Sequence, residues 1–167
     1  MKMLILVRHA KSSWGDASLP DDQRPLNERG KKDAPEMARR LLSKKIDIDL
    51  FLSSPAKRAV KTAKIFAEEM EHKKKDVETD AQLYAAGVSD FSEVIGRIDD
   101  SNTVVAVFSH NPGITEYANT LTSVRLDNMP TGSMFAVQAD VNSWQDFAAA
   151  EKQFLFFDYP KNPAGKI

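Results

Sequence analysis

Three short apolar runs, each followed by a polar signature and then by a stretch with helical spacing, leave this chain few folds to choose from. They are residues 3–7, 50–52 and 103–108. Uninterrupted apolar runs suit strands buried on both faces, and helices between them make the connections that parallel strands require. The β-then-α alternation over the first 122 residues predicts an α/β fold, a three-layer α/β/α sandwich with a mostly parallel central sheet.

The first run leads into Arg8-His9-Ala10, after which residues 11–25 are polar and turn-rich, with Gly15, Pro20, Asp21-Asp22 and Pro25. A long loop is expected there, and long loops in compact domains are often functional. Asn27 suits an N-cap, because Ala34, Met37, Ala38, Leu41 and Leu42 follow at helical spacing; that helix should end near Lys45. Behind residues 50–52, Ser53-Ser54-Pro55 predicts a capped helix opening on proline, with Ala59, Ala63, Phe66, Ala67 and Met70 as its buried face and His72-Lys73-Lys74-Lys75 as its end. That charge run suits a solvated helix C-terminus, and His72 is assigned to the surface. Residues 77–79 are expected as a short strand, 83–87 as a loop, and Ser89 as the cap of a helix through Phe91, Val94, Ile95 and Ile98. A further helix begins at Ile114, Tyr117, Ala118 and Leu121, and residues 134–139 and 154–159 read as two last strands around a turn at Trp144.

With 167 residues the chain suits a single domain over 1–167, burying roughly two-thirds of its unfolded surface. Hydrophobic content of 42% and charged content of 28% are those of a soluble globular protein, and a net charge of -1 favours neither nucleic acid nor an anionic membrane. Cysteine is absent, which excludes disulfides, thiolate nucleophiles and cysteine zinc sites, and three histidines make a histidine-rich metal centre unexpected. No apolar run approaches the ~20 residues of a membrane span. A cytoplasmic monomer is expected, since no exposed apolar stripe demands a dimer.

The C-terminal ends of neighbouring parallel strands lie on one edge, so three signatures distant in sequence should converge: Arg8-His9, the segment from Ser53 through Arg58, and Ser109-His110-Asn111-Pro112. Two arginines, two histidines and helix N-termini in one crevice make a site for a tetrahedral dianion such as phosphate. Arg8, Arg58 and a protonated His110 can neutralise a phosphoryl group without a metal, and no cofactor is expected. A histidine beside phosphorus can attack in line and be released by water; spacing alone leaves His9 and His110 both open as that nucleophile. Lys11 and Ser12, close behind His9, and Asn111 are candidate substrate contacts. Asp47-Ile48-Asp49 mimics the double aspartate of metal-dependent phosphatases, but it precedes its apolar run instead of following it and is discounted.

These signatures resemble the histidine phosphatase superfamily, whose hallmark is Arg-His-Gly at the end of the first strand. The tripeptide here is Arg8-His9-Ala10, the second arginine matches Arg58 in Ser-Ser-Pro-Ala-Lys-Arg, the second histidine matches His110 of Ser-His-Asn-Pro, and Arg24-Pro25-Leu26-Asn27-Glu28-Arg29-Gly30 resembles the family's entry to its first helix. The resemblance implies a phosphoglycerate mutase-like fold, with His9 as nucleophile and Arg8, Arg58 and His110 gripping the phosphoryl group. Ala10 replaces the usual glycine, Gly15 stands where mutase-like members carry asparagine, and Leu83-Tyr84-Ala85-Ala86-Gly87 lacks their glutamate acid. Short length and these departures are similar to the SixA-type phosphohistidine phosphatases. There the leaving imidazole can be protonated before departure and needs less help than an alkoxide.

The substrate expected from the resemblance is therefore phosphohistidine on a protein. A phosphomonoesterase of a small phosphorylated metabolite is the alternative, which would need an acid at Asp90 or at Asp80, Asp21 or Asp22. A non-catalytic phosphate-binding module is the second alternative. An aspartate beginning a helix, such as Asp90, is ordinarily a dipole partner.

Overall fold

A computed structural model of the chain describes residues 1–163. The strands are β1 (Lys2–Arg8), β2 (Leu50–Ser53), β3 (Val77–Thr79), β4 (Val104–Ser109), β5 (Met134–Ala139) and β6 (Lys152–Asp158). The helices are α1 (Glu28–Ser43), α2 (Lys57–Glu69), α3 (Val88–Gly96) and α4 (Gly113–Leu121). One sheet runs β3-β2-β4-β1-β5-β6, parallel through its first four strands and antiparallel where β5 joins β1 and β6 joins β5.

β1 and β4 are central because their middle residues, 4–7 and 105–108, carry only apolar side chains. Along β1, Ile5 and Val7 enter a core with Met37, Ala38 and Leu41 of α1 and Ala63, Phe66 and Ala67 of α2. The alternate residues Leu4 and Leu6 enter a second core with Phe91, Val94 and Ile95 of α3 and Ile114, Tyr117 and Ala118 of α4. Each of these side chains is essentially sealed from solvent, and full burial stabilises a Leu, Ile or Phe by about 1.5–3 kcal/mol. The result is the expected three-layer sandwich.

The helix after β1 packs on one face of the sheet and the helix after β4 on the other. These adjacent strands therefore form a topological switch point, where a crevice opens at their C-terminal ends. Register makes the alignment close: Arg8 lies opposite Ser109, and Ser53 opposite Phe108. His9, His110 and Ser54 thus leave the sheet at one level.

Several local expectations shift. Asn27 caps α1 as its spacing predicts, with its side chain accepting from Gly30 N at 2.9 Å. Pro55 does not open α2; the helix starts at Lys57 behind Ala56, while Ser54 Oγ accepts from Ala56 N at 3.2 Å. Ser89 does not cap α3, because Gly87 holds that place and Asp90 Oδ2 accepts the Gly87 N–H at 2.9 Å. The His72–Lys75 stretch lies beyond the end of α2, since the chain turns at Glu71 with φ of 63°. His72 is partly exposed and pairs with Asp47 at 3.0 Å. Asp49 accepts backbone N–H groups of Thr103 and Val104 at the opposite end of the sheet from the crevice, in keeping with discounting the Asp47–Asp49 motif. β6 begins at Lys152, two places before the expected strand.

Candidate active site

Backbone ladders extend past the strand ends and fix the site's floor. His9 N donates to Ser109 O (3.2 Å), Ser54 N to Phe108 O (2.9 Å), and Arg8 N to Ser133 O (3.1 Å). Gly132, at φ of 77°, turns its N–H onto the Arg8 and His9 carbonyls (3.1 and 3.0 Å), a conformation that a side chain would strain. Thr62 of α2 accepts from Ala10 N (3.0 Å) while donating to the Arg58 carbonyl (2.8 Å), tying the histidine's peptide to the helix that carries the arginine.

The orientation of His9 follows from its partners. Its Nδ1 lies 2.7 Å from the Ala10 carbonyl, which can only accept, so the ring proton sits on Nδ1. Nε2 therefore keeps its lone pair, which accepts from Arg58 Nε at 3.3 Å. Burial foremost pushes the His9 imidazole down to about 3, with His110, Arg58 and Arg8 adding to that fall and the Ala10 bond opposing it. A neutral imidazole with an unprotonated Nε2 facing a cationic pocket is a competent nucleophile at neutral pH.

His110 lies beside it, the ring centroids 5.2 Å apart, with Nε2 paired to Ser54 Oγ at 2.7 Å. Burial, then Arg58, pushes His110 down to about 4, so in this structure it is neutral at pH 7 and not the protonated group expected from sequence. A bound phosphoryl dianion opposes both effects and favours its protonation. Among the described residues, His110 Nδ1 and Arg8 Nε are buried with no hydrogen-bond partner. Arg8 is otherwise held by the Met129 carbonyl at 2.9 Å; burial, then the Arg58 charge, lowers its pKa.

The pocket above these residues has a volume of about 670 Å³. Its walls include Lys11, Ser12, Trp14, Asp21 and Arg24 from the long loop, Tyr84 through Gly87, Asn111 through Gly113 with Glu116, and Thr131. Ala85 adopts φ of 55°, a left-handed turn in the wall itself.

The structure brings Arg8, His9, Arg58 and His110 together, and Lys11, Ser12 and Asn111 line the same pocket. Two of the last three have their polar groups engaged already. Ser12 Oγ accepts from Arg24 Nη1 at 2.8 Å, and Asn111 Nδ2 donates to Asn128 Oδ1 (2.6 Å) and to Met129 O (3.1 Å), the carbonyl that also holds Arg8. Asn111 thus buttresses Arg8.

Asp90 is not brought to the pocket. Its carboxylate accepts from Gly87 N and Gln82 Nε2, and the Gly87 bond foremost lowers its pKa, as a helix-opening aspartate behaves. Asp80 pairs with Arg97 at 2.6 Å, and Asp22 does not line the pocket. Of the four aspartates weighed as acids, only Asp21 enters. Its carboxylate accepts from Arg58 Nη2 (3.0 Å), Arg24 Nε (3.2 Å) and the Tyr84 hydroxyl (2.6 Å), while Arg58 Nη1 also reaches its backbone carbonyl at 2.6 Å. The Tyr84 bond above all, then Arg58, holds Asp21 well below the usual carboxylate range.

Sequence inspection gave Tyr84, Trp14 and Glu116 no place at the site, and Ser54 one only as part of the converging segment 53–58. Only the position of Trp14 and Tyr84 in loops between predicted elements signalled them. Among the described residues no cluster of three or more histidine or acidic side chains is placed to hold a metal ion, and no helix is long and apolar enough to cross a membrane.

Comparison with known proteins identifies a family and a fold. Residues 4–94 match the model of the histidine phosphatase superfamily (branch 1). An uncharacterized chloroplastic protein of Arabidopsis thaliana is 31% identical over 154 residues, covering 87% of this chain and 70% of the relative. A 2,3-bisphosphoglycerate-dependent phosphoglycerate mutase of Thermoplasma acidophilum is 42% identical over 91 residues, 53% of this chain but 43% of the mutase. The structure of the protein histidine phosphatase SixA complexed with tungstate superposes with a TM-score of 0.80 at 23% identity, covering 96% of this chain and 98% of SixA, which establishes a shared fold. Matched over more than half its length and carrying the converged histidines and arginines, the chain belongs to the histidine phosphatase superfamily.

Proposed function

We propose that the chain, as a single histidine phosphatase domain, is a phosphatase that works through a covalent phosphohistidine on His9, with phosphohistidine on a protein as its substrate. The observation that carries this is the state of His9: Nδ1–H tied to the Ala10 carbonyl, and Nε2 unprotonated and facing Arg58 in the pocket.

In the first step the Nε2 lone pair forms a bond to phosphorus as the bond from phosphorus to the substrate nitrogen breaks. The substrate ring, protonated on its other nitrogen, departs as a neutral imidazole. Arg8, Arg58 and His110 share the equatorial charge, and the Ala10 carbonyl stabilises the cationic phospho-imidazole of His9 through Nδ1–H. Water then attacks phosphorus, the bond to Nε2 breaks, and the proton passes through the carboxylate of Asp21 to the departing phosphate. An imidazole leaving group asks less of an acid than an alkoxide does, which suits a pocket in which the Asp21 carboxylate is already ion-paired with Arg58. The likeness in fold to SixA supports the same substrate class.

A second reading, hydrolysis of a small phosphate ester, has the place of Asp21 in the pocket in its favour, but requires that carboxylate, held ionised by Tyr84 and Arg58, to gain a proton before it serves as an ester's acid. Phosphate release in the presence of EDTA, from a phosphohistidine-bearing protein and from simple esters, separates the two. Preference for phosphohistidine and loss of turnover in His9→Ala are expected. Ester hydrolysis at equal or better rates overturns the substrate assignment, and full activity in His9→Ala overturns the mechanism.

A further inference from the structure

Among the described residues Trp14 is the most exposed large apolar side chain, at 77% of its free surface, and it stands in the pocket wall. It is also not loose. The loop on either side is pinned by the Ser12–Leu26 bridge, by Ser13 N donating to Pro25 O at 2.8 Å and by Asn27 N donating to Lys11 O at 3.0 Å.

The ring itself is held from one side. The Arg24 guanidinium lies 3.6 Å from its centroid, and Arg24 is only 8% exposed, clamped by Ser12 Oγ, the Ser13 carbonyl and Asp21 Oδ1. A buried, triply anchored cation under one face of the indole fixes its plane and leaves the other face uncovered. Arg24 therefore links the ring to Asp21, and through Asp21 to Arg58 and the phosphoryl pocket.

We propose that the open face of Trp14 is a stacking platform for a planar ring attached directly to the phosphoryl group of the substrate. The imidazole of a phosphohistidine is the ring it takes. This deepens the function proposed above and rests on it. The platform gives the pocket a reason to prefer a flat leaving group over a flexible alkyl one: aromatic stacking rewards a rigid ring, whereas an alkyl chain gains little from an indole face and loses more rotamer freedom upon it.

The test compares wild type, Trp14→Ala and Trp14→Phe on a phosphohistidine peptide, phenyl phosphate and ethyl phosphate, the last read as a competitive inhibitor where turnover is slow. Trp14→Ala is expected to raise KM about tenfold for both ring-bearing substrates, with kcat within about twofold, and to leave ethyl phosphate unchanged. Trp14→Phe should restore most of the lost affinity, and thermal melting should show all three proteins equally folded, since the ring is exposed. Equal weakening of ethyl phosphate, or no change with either ring, overturns the platform. Weakening seen only with an intact phosphorylated protein also overturns it, making Trp14 a protein-docking residue instead. If phosphohistidine is not hydrolysed by wild type while phenyl phosphate keeps its dependence on Trp14, the proposed substrate fails and the platform stands.

Discussion

If Arg58 grips the phosphoryl group as proposed, Asp21 competes with it, and its removal has a calculable effect. Its carboxylate accepts from Arg58 Nη2 at 3.0 Å, a donor that a phosphate oxygen would then have to claim. Hydrogen bonds to charged groups are worth about 1.5–3 kcal/mol net. The Asp21 side chain is 48% exposed, so solvent screening brings the competing interaction nearer to ~1 kcal/mol. Arg58 stays in place in Asp21→Ala, because its Nη1 holds the Asp21 backbone carbonyl, which the substitution keeps. Phosphate should consequently bind Asp21→Ala about fivefold more tightly than wild type, by calorimetry or as a competitive inhibitor. Turnover should move the other way, falling roughly 100-fold if Asp21 carries the proton in dephosphorylation. Because Tyr84 and then Arg58 hold the carboxylate far below its usual range, the affinity difference should be constant between pH 5 and 8. Phosphate affinity that is unchanged or weaker in a folded variant refutes the competition, and unchanged turnover refutes the proton role.

Replacing Arg58 by lysine removes the fork that reaches His9 Nε2 and Asp21 together, and kcat/KM should drop at least 100-fold while the melting temperature stays close to wild type. Stability should depend on pH through the two histidines: both are neutral when folded, with values of about 3 and 4, but charge when unfolded below about 6.5, so stability is lost as pH falls through that value. Between pH 7 and 5 this amounts to roughly 2 kcal/mol per histidine, and urea denaturation of a His9→Ala, His110→Ala double variant should lack that share of the slope. Gly30→Ala should destabilise the protein by about 2–4 kcal/mol in the same assay, since a Cβ there collides with the Lys11 carbonyl and forces α1 off the loop behind His9. Phe66→Ala, which empties a sealed position packed edge-on against Phe108 at 5.3 Å, should cost about 3–5 kcal/mol without changing KM.

Residues 3–7 and 104–108 could be recognised as central strands because their side chains are all apolar, and such strands are stable only between two covering layers. Convergence of His9, Arg58 and His110 followed from the same property, since parallel strands share an edge whatever lies between them in sequence. Helix starts were less legible at Ser54 and Ser89. Both are residue types that cap helices, yet Ser54 is drawn inward to His110, and the backbone of Gly87 together with the carboxylate of Asp90 makes the α3 start without Ser89. Local propensity is a weak preference of about 1 kcal/mol, which a buried polar contact readily overrides.

What sequence determined by itself was the layered sheet and the four groups at its edge, because apolar periodicity and strand-end position are properties of the chain read locally. Which aspartate enters the pocket was decided by tertiary structure alone. Asp21, Asp22, Asp80 and Asp90 are chemically equivalent as text; only the path of the long loop over α2 sets Asp21 between Arg58, Arg24 and Tyr84, leaving Asp80 to Arg97 and Asp90 to the start of α3. The protonation of His9 was decided in the same way. An imidazole's titration depends on its burial and on which nitrogen meets a carbonyl, and both arise only when β1, β4 and α2 close around it.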